Sequence, residues 1–538
     1  MSSSESAPGP LVDGPRDPEH DPRASYALEP GQVDRLTGRV LATSGRTNTV
    51  HSPIDGAPLA HIPQSSAEDV AEAFRRARVA QAAWARTSLE DRSAALLRLH
   101  DIVLDRQDEI LDLIQLESGK ARKHAFDEPL HIALTARYYA RTAHDHLDTR
   151  RKVGVVPGLT RVELNQVPKG VVGIISPWNY PFTMALCDGL PALLAGNAVV
   201  TKPDAQTMLS ALLGARMLEE AGFPKDLWQV VAGPGRELGT PIIERSDYIC
   251  FTGSTATGKV IARQCAERLI GCSLELGGKN PILVLRDADI ERAAEGAVRA
   301  SFSNAGQLCV STERMFVADQ VYDRFMERFV ARTQALTLGA TLSWESDMGT
   351  LISADQLETV TAHVEDAVAK GAVVRAGGRP RPDLAPYFYE PTILEGVSPE
   401  MTCFGHETFG PVVSVYRFHD EADAVARAND GDYGLNASIY SSDGDRARRI
   451  AASIKCGTVN INEAFAATFA SIDAPMGGMR ESGMGRRQGS EGILRYTEPQ
   501  SVATQRLLRF SPMLGMSEET YAKVMTLNLR LMKKLGRA

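Results

Sequence analysis

VVGIISPWNYPFTMALCDGLPALLAGNAVVTK, residues 171–202, decides the fold. VVGIIS (171–176) is a short apolar run without polar alternation, which reads as a strand buried on both faces. A helical run follows through Ala195, and AVVTK (198–202) reads as the next buried strand. Working outward, a helix over 206–221, the run WQVVAG, another helix and the strand DYICFTG continue the rhythm. That alternation predicts an α/β fold with a doubly wound, mostly parallel sheet. A second alternating block starts at NPILVL (280–285) and runs to about residue 476.

The chain has 538 residues, 43% apolar and 23% charged, which fits two or three globular domains. A net charge of −8 argues against nonspecific nucleic-acid binding. Seven cysteines (187, 250, 265, 272, 309, 403 and 456) are scattered, with no CxxC pair and no zinc-like Cys/His ladder. They read as reduced thiols of a cytoplasmic protein. His144 and His146 are two apart, a spacing that puts them on different helix faces, so no metal site is expected. There is no apolar stretch of transmembrane length. Residues 1–30 begin with a Ser-, Pro- and acid-rich stretch that lacks an apolar signal core and read as a disordered tail.

Other elements are legible between these blocks. Ser65-Ser66-Ala67-Glu68 reads as a capping box. A helical run from Ser88 ends near Gly119. Residues 151–170 hold two strand-like runs around Pro157-Gly158, a hairpin that reads as an arm. The extension 507–538 contains a helix over 517–536, capped by Ser517 and stopped by Gly536. Tyr521, Val524, Met525, Met532 and Leu535 share one face, and Lys523, Arg530, Lys533 and Lys534 make the rest basic. This composition allows contact with a membrane surface. Packing against the enzyme or a partner subunit is the favoured reading.

The chemistry centres on two residues. Cys309 lies in SFSNAGQLCVSTERMFV beside Asn304, Ala305 and Gly306, small residues that let a carbonyl approach. Glu275 lies upstream in the Gly-rich LELGGKNP. Thiol attack on an aldehyde, hydride loss and thioester hydrolysis need such a pair and a hydride acceptor. FTGSTATGK (251–259) follows a strand and opens a helix, with Gly253, Ser254 and Gly258 where a pyrophosphate can approach the helix end. Asn179 in SPWNYP can donate to an oxyanion, and Lys202 ends a strand where a ribose or phosphate contact is natural. HETFGPV adds Glu407 and Phe409 beside a Gly-Pro turn. Taken singly, each has a plainer reading: a buried thiol, a structural acid, a helix cap, an Asn turn, a solvated lysine or a surface acid.

Their order removes most of that ambiguity. PWNYP, TKP, FTGSTATGK, LELGGKNP, GQLCV, HETFGPV and PMGGMRESGMGRR occur in one series, and over roughly residues 35–505 the chain resembles the aldehyde dehydrogenase superfamily. The resemblance implies an aldehyde dehydrogenase-like fold. A dinucleotide-binding domain would span 31–150 and 171–281, a catalytic domain 282–476, and a small β oligomerisation arm 151–170 and 477–506. It implies Cys309 as nucleophile, Asn179 with the Cys309 N–H around the oxyanion, and Glu275 as the base for water. It implies Lys202 at the adenosine ribose, Glu407 at the nicotinamide ribose, and Gly253, Ser254 and Gly277 around the cofactor. Trp178 and Phe409 would line the site, and the arm would assemble a homodimer or homotetramer.

NAD-preferring relatives often carry an acid three residues after the lysine, where this chain has Ala205. The missing carboxylate favours NADP over NAD, with Lys202 or Thr207 available to a phosphate and Asp204 one position early. As a whole the chain is most similar to bacterial, particularly actinobacterial, succinate-semialdehyde dehydrogenase-type members, implying oxidation of succinate semialdehyde to succinate. Known members of that activity carry arginines where this chain has Cys187 and Ser303. The segment 462–475, with Phe465, Thr468 and Phe469, reads as a pocket wall suited to an apolar aldehyde. A broad or apolar aldehyde dehydrogenase is therefore the alternative. A CoA-acylating relative would generally lack Glu275, a non-catalytic member would lose Cys309, and a cysteine hydrolase would need a histidine beside the thiol.

Overall fold

The computed structural model describes residues 21, 24–155, 160–505, 511–512, 515–534 and 536. Val171–Ile175 and Ala198–Lys202 pair in parallel, as the opening stretch requires. They are the middle of a six-stranded sheet ordered Gly483–Met484, Gly271–Glu275, Tyr248–Thr252, Val171–Ile175, Ala198–Lys202 and Trp228–Val230. From Val171–Ile175 the chain moves outward to one edge, then returns to lay Tyr248–Thr252 on the other side. The order reverses there, and the loops leaving the carboxyl ends of these two strands open a crevice. Those loops are PWNYP and GST.

A second sheet, of seven strands, runs Val373–Ala376, Thr392–Glu395, Val412–Phe418, Thr312–Ala318, Asn280–Val284, Asn436–Tyr440 and Thr458–Ile461. Its pairs are parallel except at the Val373–Ala376 edge. Separate apolar cores stabilise the two units, with Val199, Leu193 and Leu212 in one and Leu283, Met315 and Phe329 in the other. Leu276–Lys279 crosses from one sheet to the other, so Glu275 ends a strand at the boundary between them.

Several local expectations shift. The capping box forms between Ser66 and Asp69, one residue later than read, because Asp69 also accepts from Thr43. The run from Ser88 is two helices, Leu89–Asp105 and Gln107–Ser118, broken at Arg106. Gly119 ends the second at φ 71°. Within the expected tail, residues 1–20 and 22–23 lie outside the described residues, but Ser25 Oγ donates to Asp112 at 2.6 Å and Leu28 is buried.

The arm is a three-stranded antiparallel sheet of Thr497–Gln505, Thr160–Pro168 and Arg150–Lys152. The turn at Pro157-Gly158 lies outside the described residues. Residues before Thr497 depart from the expected arm: Gly483–Met484 pairs with Leu274 and Glu275 of the first sheet, and the Gly489–Leu494 helix buries Ile493 in its core.

The terminal helix Glu518–Lys534 buries none of its residues, so the expected packing on its own chain is not found. Val524, Leu527, Leu529 and Leu531 are exposed. The helix Glu518–Lys534 therefore contributes almost no intrachain burial, and its removal should cost under about 1 kcal/mol, roughly 2 °C in Tm. Calorimetry of the truncated chain checks this. A larger fall would place the helix in a contact between subunits.

Candidate active site

The PWNYP loop is held from beneath by a buried ion pair. Lys120 Nζ donates to the Asn179 carbonyl at 2.6 Å and to Glu128 Oε1 at 2.7 Å, 3.8 Å from the Tyr180 ring centroid. Glu128 Oε2 accepts from Thr183 N at 3.0 Å. The Lys120 and Glu128 side chains are both 0% exposed, so each charge depends on protein partners rather than on water. Pro181 at the first turn of the Pro181–Leu186 helix fixes where the loop ends.

The same carbonyl anchors the cysteine loop. Asn304, Ala305 and Gly306 follow the Ile290–Phe302 helix with φ of 50°, 52° and 71°. Left-handed backbone costs about 1–2 kcal/mol at each non-glycine residue. Hydrogen bonds offset it: Asn304 Nδ2 donates to the Asn179 carbonyl at 3.1 Å, Asn304 N to His124 Nδ1 at 3.1 Å, and Gln307 Nε2 to the Asn304 carbonyl at 3.1 Å. A Cβ on Gly306 would overlap the Gly410 carbonyl, so the bend also requires that glycine. Cys309 follows, its carbonyl accepting from Asn280 Nδ2 at 2.8 Å.

These supports deliver Cys309, Glu275 and Asn179 to one cavity of about 330 Å³. Asn179 Nδ2 donates to the Gln307 carbonyl at 3.0 Å, which fixes the amide and leaves its second hydrogen for an oxyanion. Trp178, Gly253, Ser254, Gly277, Glu407 and Phe409 also line the cavity, the Trp178 and Phe409 rings meeting edge-on at 5.5 Å. Phe465 and Phe469 add apolar wall with Leu130 and Leu134.

Burial separates the two reactive groups. It pushes the Glu275 carboxyl up to about 7, with Arg487 pulling the other way and Asp188 adding to the rise. Burial, with the nearby Glu275 charge, pushes the Cys309 thiol up to about 12. The Cys309 thiol is thus neutral at rest, while Glu275 titrates near neutrality, a value suited to proton transfer. Arg487 donates to Asp188 at 3.1 Å and Thr252 Oγ1 at 3.0 Å, bracing this end of the cavity.

The surrounding groups fit a dinucleotide. Ser254 caps the Thr255–Glu267 helix, and Gly253 leaves its positive end approachable. Glu407 is half-buried, with Gly278 N donating to its Oε1 at 2.7 Å and no ion-pair partner among the described residues. Burial, with Glu313 adding, pushes its carboxyl up to about 8, a receptive state for ribose hydroxyls. Among the described residues Lys202 Nζ donates to the Pro203 carbonyl alone, at 3.1 Å, and burial pulls its ammonium down. Asp204 accepts from Gln206 N at 3.0 Å within its own turn, and Thr207 is sealed at 1% exposure, away from any phosphate.

Lys202 and Ala205 are not among the residues that line this cavity. Three expected pocket residues also fall outside it. Cys187 and Ser303 are turned into the interior at 5% and 4% exposure, and Thr468 Oγ1 donates to the Phe465 carbonyl at 3.3 Å. Sequence reasoning missed Lys120, Glu128, His124, Arg299 and Arg487. Only the double arginine in GMGRR offered a local signal.

Comparison with known proteins matches residues 40–502 to the aldehyde dehydrogenase family model. The chain is 50% identical over 490 residues to a Mycolicibacterium smegmatis protein named provisionally as succinate-semialdehyde dehydrogenase [NADP(+)], covering 91% of this chain and 95% of that one. It is 36% identical to glutarate-semialdehyde dehydrogenase of Pseudomonas aeruginosa, covering 85% and 94%. Succinate-semialdehyde dehydrogenase from Burkholderia pseudomallei superposes with a TM-score of 0.85 at 33% identity, covering 90% and 100%. An NAD+ complex of aldehyde dehydrogenase from Bacillus cereus gives 0.84 at 33%, with the same coverage. The chain belongs to the aldehyde dehydrogenase family, and its activity is NAD(P)-dependent oxidation of an aldehyde.

Replacing Lys120 by Met strands the Glu128 charge and should destabilise the protein by about 3–5 kcal/mol. Adding Glu128→Leu should recover part of that loss, because the pair is coupled. Denaturant unfolding of both variants checks the order.

Proposed function

We propose that the protein oxidises succinate semialdehyde to succinate with NADP+, using Cys309, Glu275 and Asn179. The observation that carries the mechanism is the meeting of these three side chains in one cavity. Cys309 Sγ bonds to the aldehyde carbon as the thiol proton passes to solvent, which leaves Glu275 free for the second step. The oxygen of the thiohemiacetal is held by Asn179 Nδ2 and the Cys309 N–H. When bound, the dinucleotide supplies the hydride acceptor that turns this adduct into a thioester. Glu275 then takes a proton from water, the hydroxide adds to the thioester carbon, and the Cys309 thiolate leaves with the carboxylic acid released.

Succinate semialdehyde is supported by the names of the mycobacterial relative and the Burkholderia structure. NADP+ is supported by the uncharged Ala205 and by the [NADP(+)] in that relative's name. A homodimer or homotetramer is supported by the arm, whose Val167 and Val502 are exposed. Seven free cysteines support a cytoplasmic location.

Initial rates with NADP+ and NAD+, on succinate semialdehyde, hexanal and benzaldehyde, test the substrate. The reading expects NADP+ with succinate semialdehyde to give the highest kcat/KM. A higher value for hexanal would favour the apolar-aldehyde alternative, which Leu130, Leu134, Phe465 and Phe469 support.

Glu275 carries the pH dependence. Its raised carboxyl is protonated and idle below pH 7, so kcat should climb as pH passes upward through about 7. Glu275→Gln should lower kcat at least about 100-fold. It should still release up to one equivalent of NADPH per site before stalling at the thioester. Multiple turnovers by that variant would contradict the assignment.

A further inference from the structure

A semialdehyde carrying a second carboxylate needs a cation in a cavity otherwise walled by Leu130, Leu134, Phe465 and Phe469. Three basic side chains line that cavity: His131, Arg299 and Arg487. His131 stacks on Phe469 at 4.4 Å, and burial pulls its imidazole down to about 3, so it is neutral. Arg487 is buried and already committed to Asp188 and Thr252, next to the base. An anion there would crowd Glu275.

Arg299 differs in each respect. It projects from the Ile290–Phe302 helix that leads into the cysteine loop, and its side chain is 50% exposed. Its ion-pair partner among the described residues is Glu463, at 3.8 Å, beyond hydrogen-bond reach. The guanidinium lies 5.5 Å from the Phe465 ring centroid, which steers it along the apolar wall without occupying its N–H groups. The planar fork is open to a carboxylate.

We propose that Arg299 receives the distal carboxylate of the substrate, in place of arginines at positions 187 and 303. This rests on the succinate semialdehyde reading above. Asp127 shares the wall as its electrostatic counterpart. Burial pushes its carboxyl up to about 6, and the Arg299 charge draws it back down, so the two groups oppose one another in their effect on an anionic substrate.

The test compares succinate semialdehyde with butanal, equal in carbon number but without the carboxylate, for wild type, Arg299→Gln, Arg299→Lys and Asp127→Asn. Arg299→Gln should raise KM for succinate semialdehyde roughly tenfold or more, with kcat and the butanal constants little changed. Arg299→Lys should recover part of the loss, and Asp127→Asn should lower KM for succinate semialdehyde. Butanal turnover serves as the folding control. If wild type prefers succinate semialdehyde and Arg299→Gln keeps that preference, or loses both activities equally, the role of Arg299 is overturned while the substrate reading stands. If wild type shows no preference, both are overturned.

Discussion

One ammonium, buried with one carboxylate and one carbonyl, holds the two halves of this enzyme in register. Lys120 ties Glu128 to the Asn179 carbonyl, and that carbonyl also takes the Asn304 amide. Asn179 and the loop that carries Cys309 are thus braced on one atom, although they enter from different sheets. A buried pair of this kind adds little net stability compared with apolar residues of the same shape. It adds uniqueness of position, because every alternative arrangement leaves a charge unpaired.

Around that knot the site uses burial to divide the labour of two acids. Glu275 and Cys309 line the same cavity, and burial pushes both upward, but from different starting points. The carboxyl arrives near neutrality, where it can gain and release a proton. The thiol stays neutral until a base is at hand, which protects it from oxidation between turnovers. Arg487 and Asp188, paired behind the base, moderate the environment from opposite sides.

The architecture was legible because buried parallel strands announce themselves locally. VVGIIS and AVVTK need only their own apolarity to be read, and a strand-glycine-helix junction at Gly253 follows from the next few residues. Cys309, Glu275 and Asn179 were found through motif order, and all three line the cavity. The knot was not legible. Lys120 reaches Asn179 across 59 residues, and Asn304 reaches it across 125, and nothing local to LESGK signals either contact. Side-chain direction was also out of reach. Thr468 lies between Phe465 and Phe469 in sequence, yet its hydroxyl turns back to the backbone. The break at Arg106 and the one-residue shift of the cap at Ser66 depend on contacts with distant Glu220 and Thr43.

The covalent intermediate is the point on which everything else turns. Wild-type enzyme, mixed with NADP+ and succinate semialdehyde and acid-quenched within the first turnover, can be digested and its peptides weighed. A succinyl thioester on the peptide carrying Cys309, and on none of the other six cysteines, is the expected result. NADPH formation with Cys309 unmodified throughout, or the acyl group on another thiol, would contradict it.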